Sequence, residues 1–230
     1  FTEATNYLGI TILFFVFVGL IMNWKNGFIR TLFFLIIFSL LLSFGKHLPW
    51  FYNIFFNYVP AFNKFRVPVM IVVLIHTLLV IISAYGFNSV FTNSGEKLLR
   101  AVIISAAILG AVAMIAFGVS GTLSYTSATD LSRYEPDVLE IIKTIRKDFL
   151  IADTERMILL TFLVFGATFV FLKKMIRNRY IFVCFILILT IFDLVQIQKR
   201  FLLEQVHGKY EKLYNPKNWE KNHFVKTPVD

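Results

Sequence analysis

Hydrophobic and polar positions along this 230-residue chain fall into blocks rather than alternating. Six apolar stretches stand out, at residues 7–24, 28–45, 67–85, 101–121, 157–172 and 180–197. Each approaches the roughly 20 residues a helix needs to cross a hydrocarbon core about 30 Å thick. The fifth is short and is expected to borrow residues 154–156. None of the runs has a two-residue period. In lipid only helices or closed barrels satisfy the backbone, so the runs predict helices. The expected fold is all-α, a polytopic transmembrane helix bundle of about six spans. Residues 1–200 form its helical domain. Residues 201–230 form a polar extracytoplasmic tail or the start of a following soluble domain.

Two further segments have patterns of their own. Within residues 119–156, Val138, Ile141, Ile142, Ile145 and Phe149 recur at helical spacing, with Pro136 suited to a first turn and Glu140, Lys143, Arg146 and Lys147 on the polar side. This predicts an amphipathic helix over residues 138–150, resting on the outer interface rather than forming a seventh span. A lid over a site is the sharper alternative. Residues 46–68 are aromatic, punctuated by Pro49, Pro60 and Pro68, and basic at both ends. They are too polar to span and too apolar to float in water, which predicts a dipping or interfacial segment.

Composition agrees with a membrane chain. Hydrophobic residues make up 57%, with 27 Phe, against 45–50% in an ordinary soluble domain. The net charge of +9 does not point to nucleic acid, because the cations sit in short loops and in the tail. Those loops set orientation. Lys25 and Arg30, then Lys97 and Arg100, then Lys173, Lys174, Arg177 and Arg179 mark three cytoplasmic connections. Both chain ends and the segments 46–66 and 119–156 are then external. The chain opens on Phe1 with no basic leader and is expected to be a piece of a longer protein.

Candidate chemistry is sparse. Cys184 is alone, so there is no disulfide framework and no thiolate metal site. Phosphate-binding glycine loops, zinc-protease, serine-elbow and calcium-loop motifs are absent, and no cofactor or metal is expected. His76 falls mid-span in the third run, where a neutral imidazole bonded to a neighbouring helix is the favoured reading. Asp193 lies near the outer end of the sixth and is expected to pair locally with Lys199 and Arg200 or to serve function. In the fourth run, Ala106 with Gly110 and Ala107 with Ala111 predict close backbone approach.

Several stretches together carry a resemblance. They are Glu3-Ala4-Thr5-Asn6-Tyr7-Leu8-Gly9-Ile10, then Pro49-Trp50-Phe51-Tyr52 leading to Pro60-Ala61-Phe62-Asn63-Lys64-Phe65-Arg66-Val67-Pro68, then Asp193-Leu194 with Lys199-Arg200-Phe201-Leu202 and the terminal Thr227-Pro228-Val229-Asp230. In this order the chain resembles the later transmembrane portion of the bacterial YfhO-type membrane proteins, with Asn63-Lys64-Phe65-Arg66 before Pro68 as the most specific part.

The resemblance implies a GT-C-like membrane glycosyltransferase of the bacterial cytoplasmic (inner) membrane. Such an enzyme moves a sugar from a polyprenyl-phosphate carrier to a cell-envelope polymer on the outer face. Its partners would be membrane lipid, the lipid-linked sugar and the acceptor polymer. Its catalytic acid would lie upstream of this chain. On that view Lys64 and Arg66 stabilise the departing phosphate, Asn63 belongs to the same substrate-binding loop, and Trp50 and Tyr52 flank a sugar or prenyl chain. Binding of lipid headgroups by the two cations is the alternative. A transporter or flippase for a lipid-linked or anionic substrate is the rival function. It would place polar groups near the midplane, where only His76 lies.

Overall fold

The computed structural model describes residues 7–44, 48–59, 71–127, 130, 135–176 and 178–205. Seven helices and no strands occur among them: α1 (Ile10–Asn23), α2 (Gly27–Ser43), α3 (Pro49–Tyr58), α4 (Val72–Thr92), α5 (Glu96–Val119), α6 (Pro136–Leu172) and α7 (Arg179–Gln205). The six apolar runs each become a helix.

Four stretches are long and apolar enough to cross a membrane: α4, α5, α6 and residues Arg179–Lys199 of α7. This is a multi-pass membrane chain. The apolar α1 and α2, with 14 and 17 residues, extend only about 21 and 26 Å at 1.5 Å per residue. Phe34, Met114, Ile115 and Phe162 point outward with more than half their surface free. That is the dressing of a bundle surrounded by lipid rather than water.

Local chemistry explains the boundaries. The Asn26 side chain accepts from Phe28 N and opens α2, and Asn178 does the same for Tyr180 at α7. Pro136 stands in the first turn of α6, where its missing N–H costs nothing. At the far end of α6, Lys174 adopts φ +58. Met175 N bonds Val170 O and Lys174 N bonds Phe171 O, a Schellman closure.

α1 is the hub. Apolar all round, it is buried by α4, α5, α6 and α7. Its residues Phe14, Phe15 and Val18 join Leu98 and Val102 of α5, Leu160 and Val164 of α6 and Phe182 of α7 in the main core. On its other side Val16 packs with Ile29, Leu32 and Ile36 of α2 and Ile75, Leu78 and Ile82 of α4.

α1 and α4 run parallel and touch through their backbones. A Cβ on Gly86 would lie 1.9 Å from Phe15 O, and one on Gly19 would lie 2.4 Å from Ile82 O. Asn23 extends the same seam by donating to Ser89 Oγ at 2.9 Å.

Three expectations need correction. The third run ends later: α4 continues through Asn88, Ser89 and Thr92, because Ser89 and Thr92 bond back to Tyr85 O and Asn88 O within the helix. His76 is therefore the fifth residue of α4, not its middle.

Residues 138–150 are helical but form no separate element. Nothing from Leu150 to Met157 breaks a helix, so they are the first part of the 37-residue α6. Their apolar positions Val138, Ile141, Ile145 and Phe149 remain exposed.

The small residues of α5 do not bring helices together at Gly110, where a Cβ would meet nothing within 4 Å. The buried line on that helix is Ala101, Ser105, Leu109 and Ala113. Part of the aromatic segment, expected to dip or lie at the interface, is a helix, α3, which lies against α2 through Phe38, Phe51 and Phe55.

Candidate functional site

A buried carboxylate and a largely buried guanidinium meet where α1 begins. Gly9 takes φ +98, a left-handed turn open to glycine at little cost. That turn brings the first amides of α1 against α7. Asp193 of α7 is fully buried there. Its Oδ2 accepts from Ile10 N at 2.7 Å, and its Oδ1 accepts from the Tyr7 hydroxyl at 2.6 Å. A carboxylate at a helix N-terminus satisfies a free amide and meets the positive end of the dipole. Gly9 has a second reason to be glycine: a Cβ there would sit 3.3 Å from Asp193 Oδ2.

Arg156 of α6 completes the cluster. Its Nε is 3.9 Å from Asp193 Oδ1, and its Nη2 is 4.0 Å from Asp153 Oδ1. Its guanidinium carbon lies 5.2 Å from the centre of the Tyr7 ring. Nε and Nη1 are buried yet have no hydrogen-bond partner among the described residues. The two acid oxygens are thus occupied, while the guanidinium keeps donor capacity. The carboxylate positions; the cation is the group equipped to receive an anion.

Asp193 does not pair with Lys199, and the side chain of Arg200 lies outside the described residues. Lys199 is six positions on, about one and two-thirds turns, and so faces elsewhere. The partners come instead from α1 and α6, more than 35 residues away in sequence for Arg156 and 183 for Ile10. Arg156 itself went unassigned in the sequence, as the last residue of an external segment. The available signal was an arginine and an aspartate of opposite charge at the same end of adjacent spans.

Beyond the cluster, the connection from α5 is strapped to the extended part of α6. Arg146 Nη1 donates to Tyr125 O at 2.7 Å and to Asp130 Oδ2 at 2.6 Å. The same cation holds the Asp130 carboxyl down at about 2, helped by the Ser127 amide that donates to it at 2.9 Å. Tyr125, at φ +53, turns its hydroxyl back to Ser120 O at 2.6 Å.

Of the residues assigned to substrate from the sequence, Trp50 and Tyr52 lie on α3. Trp50 is two-thirds exposed, and the Tyr52 ring stacks on Phe56 at 5.9 Å. Asn63, Lys64 and Arg66 lie outside the described residues. His76 is partly buried near the start of α4. Compared with known proteins, the chain matches no family model, no curated protein and no solved structure.

Proposed function

We propose that this chain is part of a membrane glycosyltransferase that transfers a sugar from a polyprenyl-phosphate carrier to a cell-envelope acceptor, on the outer face of a bacterial cytoplasmic membrane. The resemblance at Asn63-Lys64-Phe65-Arg66 motivates the reaction class. The observation that carries it further is Arg156, a guanidinium fixed at one end of the bundle with two buried nitrogens that find no hydrogen-bond partner among the described residues.

The basic loops assign that end to the outside. α4 also begins at that end, and Lys64 and Arg66 precede it in the sequence. A leaving phosphate gains charge as the glycosidic bond breaks, and pre-placed cations stabilise that charge without reorganising. The exposed aromatic face of α3 suits the apolar carrier or the sugar ring. About six spans, with α1 and α2 as the short ones, belong to the same proposal.

The test is sugar transfer from a polyprenyl-phosphate donor by the protein carrying Arg66→Ala or Lys64→Ala, with membrane insertion checked. Loss of a contact made mainly in the transition state costs about 2–4 kcal/mol, so transfer should fall by on the order of 30- to 1,000-fold. Wild-type transfer by both variants would reduce this segment to an anchor and end the assignment. Export or flipping of the lipid donor without sugar transfer would favour a transporter instead.

A further inference from the structure

At the opposite end of the bundle the ends of α4 and α6 and the start of α5 enclose a cavity of about 690 Å³. Ligand pockets commonly fall in the range of about 300–1,000 Å³. Phe91 and Phe171 line it, their rings 5.4 Å apart and edge to face. Phe182 stacks behind Phe171 at 4.4 Å. The mouth is polar and basic: Asn93, Gly95, Lys173 and Lys174. No acidic residue is among those lining it. Glu96, next to Gly95, has its carboxylate 2.9 Å from Arg100 on the exposed side of α5.

Lys174 occupies the position where a helix of this ending ordinarily has glycine. At φ +58 an L side chain is disfavoured. A lysine held there despite that cost stands at the cavity mouth. Its neighbour Lys173 also lines the cavity, and its ammonium lies over the Phe169 ring at 5.5 Å.

An aromatic floor, an apolar wall and two cations without a carboxylate match one kind of ligand: an anionic phosphate attached to a hydrophobic tail. Such a ligand is at hand in the leaflet around this end of the bundle. Basic pockets between transmembrane helices on the cytoplasmic side are suited to anionic lipid headgroups.

We propose that this cavity is a binding site for the phosphate headgroup of an anionic phospholipid of the cytoplasmic leaflet. Lys173 and Lys174 are its cationic partners, and Phe91 and Phe171 lie under its glycerol and upper acyl carbons. The site is independent of the outer cluster and of the chemistry proposed there.

The experiment is native mass spectrometry of the full chain released from bilayer nanodiscs of equal phosphatidylglycerol and phosphatidylcholine. Each lysine is expected to supply about a five-fold preference, so the wild type should retain phosphatidylglycerol over phosphatidylcholine by on the order of 20-fold. Lys173→Ala with Lys174→Ala should bring retention to parity, and the paired arginine variant should keep it. A matched control, Lys25→Ala with Arg30→Ala, removes two cations from another loop at the same end and should leave the preference intact.

Parity in the wild type, or equal loss in the control, would overturn the proposal in favour of diffuse attraction to a basic face. Displacement of the lipid by millimolar inorganic phosphate would overturn the lipid source in favour of a free anion. If the alanine pair fails to yield a monodisperse helical protein, Lys174→Gly takes its place. It removes one cation while relieving the backbone, and unchanged retention there would overturn the role given to Lys174.

Discussion

Asp193, on the last helix of the bundle, caps the first helix: its Oδ2 accepts from Ile10 N at 2.7 Å, across 183 positions of sequence. Helix α1 has no capping side chain of its own. Its N-terminus is buried in the bundle, where water is not available to satisfy the amide. The carboxylate therefore does two things at once. It completes the backbone of the hub helix, and it ties α7 to α1 at the end where Arg156 of α6 also arrives.

Asp193→Ala should be among the most destabilising changes outside the apolar core. It strands Ile10 N, the Tyr7 hydroxyl and the Arg156 guanidinium together. Removing one partner of a buried charge pair costs about 3–5 kcal/mol. Asp193→Asn keeps one acceptor oxygen and should lose about half as much. Thermal unfolding of the detergent-solubilised protein ranks the two, and equal stability of Asp193→Ala and wild type would remove the cap from the account.

The contact between α1 and α4 makes a contrast among glycines. Gly86→Ala places a methyl 1.9 Å from Phe15 O, and backbone cannot step aside as a side chain can. The expected loss is about 3 kcal/mol or more, with α1 displaced. Gly110→Ala adds a methyl in open space and should be neutral or stabilising by up to about 1 kcal/mol. The same thermal assay decides. Similar behaviour of the two variants would mean that α1 and α4 are not in backbone contact.

What could be read from the sequence follows from which forces are local. The six apolar runs were legible because lipid demands a continuous apolar surface, and each run is a helix. The end of α4 was not. Asn88 and Ser89 look like a loop, yet Ser89 satisfies its hydroxyl within the helix on Tyr85 O. The continuity of α6 was hidden by the charge at Asp153, Glu155 and Arg156, which suggested a boundary although no residue there breaks a helix. Gly19 with Gly86, and Arg156 with Asp193, are encounters between distant segments. Neither local propensity nor periodicity encodes them. Trp50 and Tyr52 proved to share one helix, which the prolines around them had obscured.

The length of α6 sets a topological expectation. Thirty-seven residues extend about 56 Å, against a hydrocarbon core of about 30 Å. One pass is accommodated, with the Pro136 end projecting. With Cys184 replaced by serine, single cysteines at Ser124 and at Lys174 should label from opposite sides of the membrane. Labelling of both from one side would mean that α6 does not cross.

A pH dependence follows from the strap outside the spans. The hydrogen bond from Arg146 holds the Asp130 carboxyl at about 2, below its usual 3.8. A depressed acid contributes fully above the unfolded value and loses its contribution as pH falls through the folded one. The strap should hold down to about pH 4 and release between there and pH 2. Hydrogen exchange at the Ser127 amide, which donates to Asp130, reports it. Arg146→Ala should move release upward toward pH 4, and an unshifted profile would sever the link between the two residues.

Arg156 makes the sharpest prediction, because a structural role and a ligand-binding role leave different marks. Its Nε lies 3.9 Å from Asp193 Oδ1, too far for a hydrogen bond but close enough for the charges to couple. Asp193 keeps both of its short bonds when the guanidinium is removed, so Arg156→Met should cost less than Asp193→Ala, about 1–2 kcal/mol. A double-mutant cycle with Asp193→Asn should give a coupling of about 1–3 kcal/mol. Additive effects would leave the two charges unlinked. Function is a separate readout. If the unused N–H groups receive a phosphate, Arg156→Met should cut sugar transfer by on the order of 30- to 1,000-fold, far beyond what its modest stability loss explains at temperatures where the protein remains folded. Arg156→Lys keeps the charge and loses the planar fork. It should preserve the coupling to Asp193 while still impairing transfer. Normal transfer by both variants would confine Arg156 to holding α6 against α1 and α7.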